Sequence, residues 1–273
     1  MSTRIGINGF GRMGRLGMRA GWDRPELAFT RVNEIATDAA GSAHLLKFDS
    51  VHGVWDRETG ADTGGMLVDG EAMGYSSNTS IEATDWSGCD IVIEATGRHH
   101  KQPESLKAYF DQGVRKVIVA APVNGALNVV YGVNHEGLTA GHRVVSNASC
   151  TTNCLAPVAK VLQDTVGIEH GFMTTVHAYT NQDRLADVPS DDMRRGRAAA
   201  ECPAWSCMPT KRPRKRCPGN SPPGVTRRRV PRCRYRPHRF AVRGTAARPK
   251  TMRTRSKRFA AVLCRVTFGP SVL

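Results

Sequence analysis

Arg4-Ile5-Gly6-Ile7-Asn8-Gly9-Phe10-Gly11-Arg12-Met13-Gly14 begins with a short β-prone segment and turns through glycines into a helical pattern. Gly9, Gly11 and Gly14 have the G-x-G-x-x-G spacing, which permits a tight turn and a close backbone approach to a pyrophosphate. The helix that follows would present unpaired N–H groups and a positive dipole end to that anion. Glu34 stands 20 residues after Gly14, where an acid is expected to accept hydrogen bonds from an adenosine ribose. The segment therefore predicts a dinucleotide site, and the acid favours NAD because it would repel a 2′-phosphate.

Segments that favour strands alternate with segments that favour helices through the first 200 residues. Residues 90–94 and 116–120 are compact apolar runs, as expected for strands buried on both faces of a parallel sheet. Asp69-Gly70 separates two further strand-like runs and is typical of a hairpin turn. Repeated strand–helix–strand units predict an α/β fold with a doubly wound parallel (Rossmann-type) sheet over residues 1–148. The expected strands are 4–8, 28–33, 66–68, 72–75, 90–94 and 116–120, and the expected helices are 12–21, 44–48 and 103–112.

Charge is distributed unevenly along the 273 residues. The formal net charge is +15, yet residues 201–273 hold 20 Lys and Arg residues against a single acid, Glu201. The first 200 residues are therefore slightly acidic, which excludes a basic nucleic-acid binder as a description of the whole chain. High charge, scattered prolines and little apolar periodicity predict that residues 201–273 are a disordered basic tail.

The first 200 residues hold only three cysteines, too few for a disulfide scaffold. The N-terminus lacks a signal-peptide pattern, and no run of about 20 apolar residues predicts a membrane helix. We therefore expect a cytoplasmic protein with no membrane partner. No second Cys or His pair at ligand spacing accompanies Cys150 and Cys154 in the first 200 residues, so no metal site is expected.

Cys150 stands between Ser149 and a segment with helical periodicity, residues 151–166. At a helix N-terminus, the N–H groups and the positive dipole end favour the thiolate form, and the same N–H groups can receive an oxyanion. His177 follows on a predicted strand, residues 171–179, and a Cys/His pair is what an activated thiol nucleophile needs. A buried structural thiol and a hydrogen-bonded strand histidine are the alternative interpretation. We place a domain change near Ser149, so that residues 149–200 begin a catalytic domain.

The glycine-rich stretch from Gly6 to Arg15 and the segment around Cys150 resemble those of glyceraldehyde-3-phosphate dehydrogenase. The resemblance covers roughly residues 3–200. The stretch from Ala148 to Pro157, Ala-Ser-Cys-Thr-Thr-Asn-Cys-Leu-Ala-Pro, is similar to the family's nucleophile segment. Three shorter motifs follow the family's order: Asp49-Ser50-Val51-His52-Gly53, Glu94-Ala95-Thr96-Gly97 and His177-Ala178-Tyr179-Thr180-Asn181.

The resemblance implies an NAD-dependent enzyme that oxidises glyceraldehyde 3-phosphate to 1,3-bisphosphoglycerate. Cys150 would form a hemithioacetal and then a thioester, His177 would act as its base, and inorganic phosphate would release the acyl phosphate. A homotetramer is usual in the family. The implied cofactor residues are Gly9, Phe10, Gly11, Arg12, Met13, Gly14, Glu34, Thr96, Gly97 and Asn181, and the implied substrate residues are Ser149, Thr151, Thr180 and Arg195.

Three departures from the family stand out. Members usually have Asp at the position of Glu34 and Ser or Thr at that of Ala120. Asn33-Glu34-Ile35, with the segment from Gly14 to Trp22, is similar to the branch encoded beside arsenic-resistance exporters, in which arsenate replaces phosphate. After Ala200 the family pattern gives way to an Arg-, Pro- and Cys-rich segment. We therefore hypothesise that residues 201–273 are translated out of frame.

Other interpretations stay open on the sequence alone. The Arg clusters of residues 201–273 would suit a nucleotide-binding module whose basic arm binds nucleic acid nonspecifically, although that arm lacks spaced aromatic residues for base stacking. An incomplete catalytic domain would leave a sheet face uncovered, which predicts a poorly soluble fragment. Glu34 would, in the plainest alternative, be a solvated acid beside a loop that only packs helix on strand.

Overall fold

A computed structural model describes residues 1–168 and, beyond them, 170–171, 173, 175, 178–181, 183, 185–190, 196–199 and 240–241. The chain divides into two compact units, of which the first contains residues 1–161 and the second begins at Leu162. The predicted disorder of residues 201–273 falls outside the described residues, except that Phe240–Ala241 forms a short strand.

Most of the predicted helices and strands are present, but among the described residues no helix lies between Phe48 and Glu94. The helices are α1 (Arg12–Gly21), α2 (Ala39–Lys47), α3 (Lys107–Asp111) and α4 (Cys150–Val166), with 3-10 turns at His99–Lys101, Pro103–Leu106 and His135–Gly137. The strands are β1 (Thr3–Asn8), β2 (Leu27–Asn33), β3 (Phe48–Asp49), β4 (Gly53–Val54), β5 (Thr59–Asp62), β6 (Gly65–Val68), β7 (Glu71–Ser76), β8 (Ile91–Glu94), β9 (Lys116–Val119), β10 (Leu127–Asn128), β11 (Val144–Ser146), β12 (His170–Gly171) and β13 (Phe240–Ala241).

The first unit is built on one nine-stranded sheet, in which the strand order is β10-β11-β9-β8-β1-β2-β7-β6-β5. From β7 to β11 every neighbouring pair is parallel, which confirms the doubly wound sheet. The chain first builds outward from β1 through β2 to β7 and then returns to place β8 on the other side of β1. The carboxyl end of β1 is therefore the topological switch point, where a doubly wound sheet binds its ligand.

The predicted hairpin is confirmed at the edge of this sheet. Strands β6 and β7 pair antiparallel, and Val68 faces Glu71 across the turn. Asp69 and Gly70 have φ of 50° and 81°, the left-handed values that a two-residue turn of this kind requires.

Two apolar cores lie on opposite faces of the sheet, and β8 shows the division. Ile91 and Ile93 pack against the core built around Ile7 and Met18, whereas Val92 between them belongs to the core around Trp86. Successive residues of a strand point to opposite faces, so β8 is covered on both sides.

Candidate functional site

The glycine loop joins β1 to α1 at the switch point. Gly9 has φ of +89°, and a Cβ built on it would lie 2.5 Å from the backbone nitrogen of Thr96, so this backbone packs directly on the segment after β8. A Cβ at Gly14 would lie 2.4 Å from the Gly9 carbonyl oxygen, which lets α1 pack equally close. Glycine is required at both positions because a side chain would push these segments apart.

Gly11 lies in different surroundings. It is the N-cap of α1, with φ of −66° and no side-chain hydrogen bond closing the helix end. No heavy atom lies within 4 Å of a Cβ built on it. The first turn of α1 therefore presents backbone N–H groups next to open space. This arrangement fits a pyrophosphate, which those N–H groups and the helix dipole would hold.

Glu34, at the end of β2, folds back onto the glycine loop. Its Oε2 accepts a hydrogen bond from the Phe10 N–H at 2.7 Å, and its Oε1 accepts one from the Ala36 N–H at 2.9 Å. Each carboxylate oxygen keeps a further lone pair. The predicted ribose acceptor therefore lies beside the loop and also fixes the loop's conformation.

The Arg12 guanidinium, which the resemblance assigns to the pyrophosphate, is paired with Asp49. Nη1 and Nη2 of Arg12 donate to the two Asp49 oxygens at 2.8 and 3.3 Å. Burial would raise the pKa of Asp49, but N–H donors from His52 and Val51, together with Arg12, hold that pKa below its ordinary value. Arg12 would therefore contribute its backbone N–H to the anion while its side chain is held by Asp49.

Thr96 and Gly97 follow β8 on the other side of the loop. The Thr96 N–H and hydroxyl both donate to Oε1 of Glu94, and the Thr96 oxygen accepts a hydrogen bond from the Arg98 N–H at 3.1 Å. Gly97 is exposed with φ of +72°. The predicted cofactor segment, Thr96 and Gly97, is thus fixed by hydrogen bonds from Thr96 to the buried carboxylate of Glu94.

Cys150 is the first residue of α4 and is exposed. The Ser149 hydroxyl accepts a hydrogen bond from the Thr152 N–H at 3.1 Å, and the Asn153 side chain donates to the Asn147 carbonyl at 2.7 Å. These bonds fix the start of the helix, and Thr151 lies within its first turn. By contrast, burial raises the pKa of the Cys89 thiol, which makes that residue a structural cysteine.

Ala148, just before this cap, has φ of +54°. An alanine in the left-handed region is strained, and such strain occurs where the surrounding structure requires one backbone direction. The strained residue turns the chain from β11 into α4 and places the thiol at the start of that helix.

The remaining predicted site residues belong to the second unit. Thr180 donates through its N–H to Oδ2 of Asp183 at 2.8 Å, and Asn181 is exposed. His177 and Arg195 lie outside the described residues, so the predicted Cys/His pair and substrate arginine stay predictions. Within the predicted strand 171–179, Gly171 is in a strand, whereas Met173, Thr175 and Ala178 are not.

Sequence reasoning missed four residues that shape the site: Asp49, Asn8, Glu94 and Tyr109. Asp49, Asn8 and Glu94 stand inside motifs that carry the family resemblance, which was the available signal. Nothing near Tyr109 in the sequence indicates that its hydroxyl donates to Glu94 at 2.6 Å.

Two features are absent from the described part of the chain. None of its helices combines the length and the apolar character that crossing a bilayer requires. No cluster of three or more His, Cys, Asp or Glu side chains in this part is arranged to hold a metal ion.

A doubly wound sheet with an uncapped helix after a glycine turn, and an acid at the end of the second strand, defines a dinucleotide-binding α/β protein. Comparison with known families narrows this class. Residues 3–102 match the model for the glyceraldehyde 3-phosphate dehydrogenase NAD binding domain, and residues 149–212 match the C-terminal domain of the same enzyme.

Curated relatives agree with the family models. The chain is 50% identical over 204 residues to glyceraldehyde-3-phosphate dehydrogenase 3 of Nostoc sp. (strain PCC 7120 / SAG 25.82 / UTEX 2576), covering 73% of this chain and 60% of the relative. It is 46% identical over 205 residues to glyceraldehyde-3-phosphate dehydrogenase 1 of Bacillus subtilis (strain 168), covering 74% and 61%. For the enzyme of Geobacillus stearothermophilus the identity is 46% over 214 residues, covering 77% and 62%.

The chain belongs to the glyceraldehyde-3-phosphate dehydrogenase family. Its residues 3–102 are the family's NAD-binding domain. It spans about three fifths of the length of the curated relatives it matches.

Proposed function

We propose that the protein is an NAD-dependent phosphorylating aldehyde dehydrogenase that acts on glyceraldehyde 3-phosphate. The observation that carries this proposal is the uncapped N-terminus of α1, which lies beside open space at Gly11 with Glu34 next to it. Bound there, NAD would supply the hydride acceptor. The exposed Cys150 at the start of α4 would supply the nucleophile.

The chemistry follows from the thiol. His177 would accept the proton of the Cys150 thiol, the resulting thiolate would attack the aldehyde carbon, and the imidazolium would return the proton to the carbonyl oxygen to give a hemithioacetal. Loss of a hydride from that carbon, with the hydroxyl proton passing to His177, would leave a thioester. A phosphate oxygen would then attack the thioester carbon, releasing the acyl phosphate and the thiolate. The N–H groups at the start of α4 are suited to stabilise the oxyanions of these steps.

Ser149, Thr151, Thr180 and Arg195 are proposed to bind the phosphate groups of the substrates. Arsenate is the alternative acceptor, which the motif around Glu34 favours by its resemblance to the arsenic-associated branch. Comparing turnover with phosphate and with arsenate decides between the two acceptors.

The test uses the full chain. NAD⁺ binding is measured by calorimetry, and turnover is measured from the absorbance of NADH after adding glyceraldehyde 3-phosphate and phosphate. Binding with turnover that Cys150→Ser abolishes supports the proposal. Loss of turnover with retained NAD⁺ binding in Cys150→Ser separates the chemistry from the cofactor site, and a wild-type chain that binds no NAD⁺ contradicts the proposal.

The out-of-frame origin of residues 201–273 is a separate proposal, supported by the abrupt loss of apolar periodicity there. Translating the coding DNA from that point in the other two frames should restore the family pattern, and failure in both frames refutes the idea. The alternative function is nonspecific nucleic-acid binding by the basic residues 201–273. Salt-sensitive retention of DNA that disappears when residues 201–273 are deleted would support it.

A further inference from the structure

Glu94, the last residue of β8, is a carboxylate that is 2% exposed. Its Oε1 accepts hydrogen bonds from the N–H and the hydroxyl of Thr96. Its Oε2 accepts from Nδ2 of Asn8 at 3.1 Å and from the Tyr109 hydroxyl at 2.6 Å. All four contacts are therefore with donors.

The direction of each hydrogen bond is set by the protein backbone. The Asn78 N–H donates to Oδ1 of Asn33 at 2.9 Å, so the Asn33 amide must donate to Oδ1 of Asn8 at 2.8 Å. Asn8 then presents its Nδ2 to Glu94 and to the Tyr109 oxygen, the latter at 2.6 Å. Because that oxygen accepts from Asn8, the Tyr109 proton points to Glu94.

This network requires the ionised form of Glu94. If one of its oxygens were protonated, the Thr96 or Tyr109 hydroxyl would have to accept that proton's hydrogen bond, and the hydroxyl's own proton would then have no acceptor among the described residues. The pKa of Tyr109 is raised by burial and, in addition, by the neighbouring charge of Glu94.

The charge has no cationic partner among the ion pairs of the described residues. Among these residues, only neutral dipoles stabilise it. A buried anion stabilised in this way keeps its attraction for a nearby positive charge, because the protein interior screens charge less than water does.

The topology places this anion under one half of the cofactor crevice. Glu34 directly follows β2 on one side of β1, and Glu94 ends β8 on the other side. In a doubly wound sheet the pyrophosphate lies at the first helix and the two mononucleotide halves lie on opposite sides of it. With the adenosine on the side of Glu34, the nicotinamide half lies on the side of Glu94.

We propose that Glu94 makes this site selective for the oxidised cofactor, because its buried negative charge stabilises the positively charged nicotinamide of NAD⁺ and not the neutral ring of NADH. This inference rests on the proposed function, since it needs a bound nicotinamide cofactor. Glu94 would act on the nicotinamide through its charge and without touching it, because Thr96 lies between Glu94 and the crevice.

The experiment measures the dissociation constants of NAD⁺ and NADH for the full chain and two variants. Glu94→Gln removes the charge and nearly preserves the shape, whereas Glu94→Asp keeps the charge and loses part of the reach to Thr96 and Tyr109. Far-UV circular dichroism confirms that each variant is folded. The informative quantity is the ratio of the two constants, because a purely structural defect weakens both forms alike.

We expect Glu94→Gln to shift the ratio toward NADH by about threefold to tenfold, the size of a screened charge interaction across several ångströms. Glu94→Asp should weaken both forms and keep the wild-type ratio. An unchanged ratio in Glu94→Gln overturns the inference. If that variant does not fold, Glu94→Asp still decides, because a shifted ratio in a variant that retains the charge overturns it and a retained ratio supports it.

Failure of the proposed function has a different result. A wild-type chain that binds neither NAD⁺ nor NADH refutes that function and this inference together. A wild-type chain that binds both forms, combined with an unchanged ratio in Glu94→Gln, overturns the inference alone.

Discussion

Replacing Gly9 or Gly11 with alanine is expected to weaken NAD⁺ binding in both cases but to change stability very differently. The two glycines are two residues apart in the same turn. A Cβ at Gly9 would meet the Thr96 nitrogen at 2.5 Å and the Ala95 carbonyl carbon at 2.7 Å, with φ at +89°. At Gly11 the backbone is in a region open to any residue, and nothing lies within 4 Å.

The geometry gives the magnitudes. At Gly9 an alanine costs about 1–2 kcal/mol for the left-handed backbone and a further ~1–3 kcal/mol for backbone contacts that must separate. The free energy of unfolding should therefore fall by about 2–5 kcal/mol. Alanine at Gly11 should change it by less than about 1 kcal/mol in either direction, because the restriction of the unfolded chain by alanine is offset by the poorer N-cap preference of alanine relative to glycine.

The affinity for NAD⁺ shows why glycine is needed at Gly11, where the reason is access for the cofactor and not backbone packing. At Gly11 the new methyl group occupies the open space in which the pyrophosphate would approach the helix. We expect Gly11→Ala to raise the dissociation constant of NAD⁺ at least about tenfold, which corresponds to ~1.4 kcal/mol.

Thermal unfolding followed by circular dichroism measures the stability of both variants, and calorimetry measures NAD⁺ binding. For a unit of about 160 residues, the loss at Gly9 corresponds to a fall in Tm of about 5–15 °C. Equal loss of stability in the two variants would refute the geometric argument. Wild-type affinity for NAD⁺ in Gly11→Ala would refute the placement of the pyrophosphate.

Three further predictions follow from the hydrogen bonds of the first unit. Asp49→Asn turns an amide N–H toward the Arg12 donors and should cost about 1–3 kcal/mol in urea unfolding, and a variant as stable as wild type would contradict the importance of the pair. The Arg4 side chain and N–H lower the pKa of Asp90 to about 2 from an ordinary 3.8, so its stabilisation is present above the unfolded-state value and is lost as the pH falls through the folded-state value. Asp90→Asn should therefore be less stable by about 1 kcal/mol at neutral pH, with the difference closing in acid; a difference that persists at low pH would show another cause. Ser149→Ala removes the cap of α4 and should cost about 1 kcal/mol, measured against Ser50→Ala as an exposed control, and equal effects in the two variants would exclude the cap.

Local patterns in the sequence were sufficient for most of the sheet. Asp69-Gly70 between two apolar runs predicts the hairpin, and the apolar run at 116–120 predicts β9, because turn chemistry and burial on both faces leave clear local signals. The predicted helix 103–112 begins as a 3-10 turn and becomes regular only at Lys107. The helix ends at Asp111, and Gly113 follows two residues later with φ of +93°.

The site was predicted unevenly for a physical reason. The glycine loop, Glu34 and Cys150 are recognisable because each depends on neighbours in sequence: a turn, a strand end or a helix start. The pairing of Arg12 with Asp49 joins residues far apart in the chain, and the Asn8–Glu94–Tyr109 network joins three separate elements. Local periodicity carries no information about such contacts.

The amino-acid sequence alone determined the class of the fold, the position of the dinucleotide turn and the family, because these depend on short-range spacing of glycines, strands and the thiol. The tertiary structure alone decided that the Arg12 side chain is committed to Asp49 and that an ionised carboxylate lies buried beneath Thr96. Both are consequences of which strand ends meet at the switch point. Hydrogen-bond direction and burial, which set the charge of Glu94, exist only once those ends have been brought together.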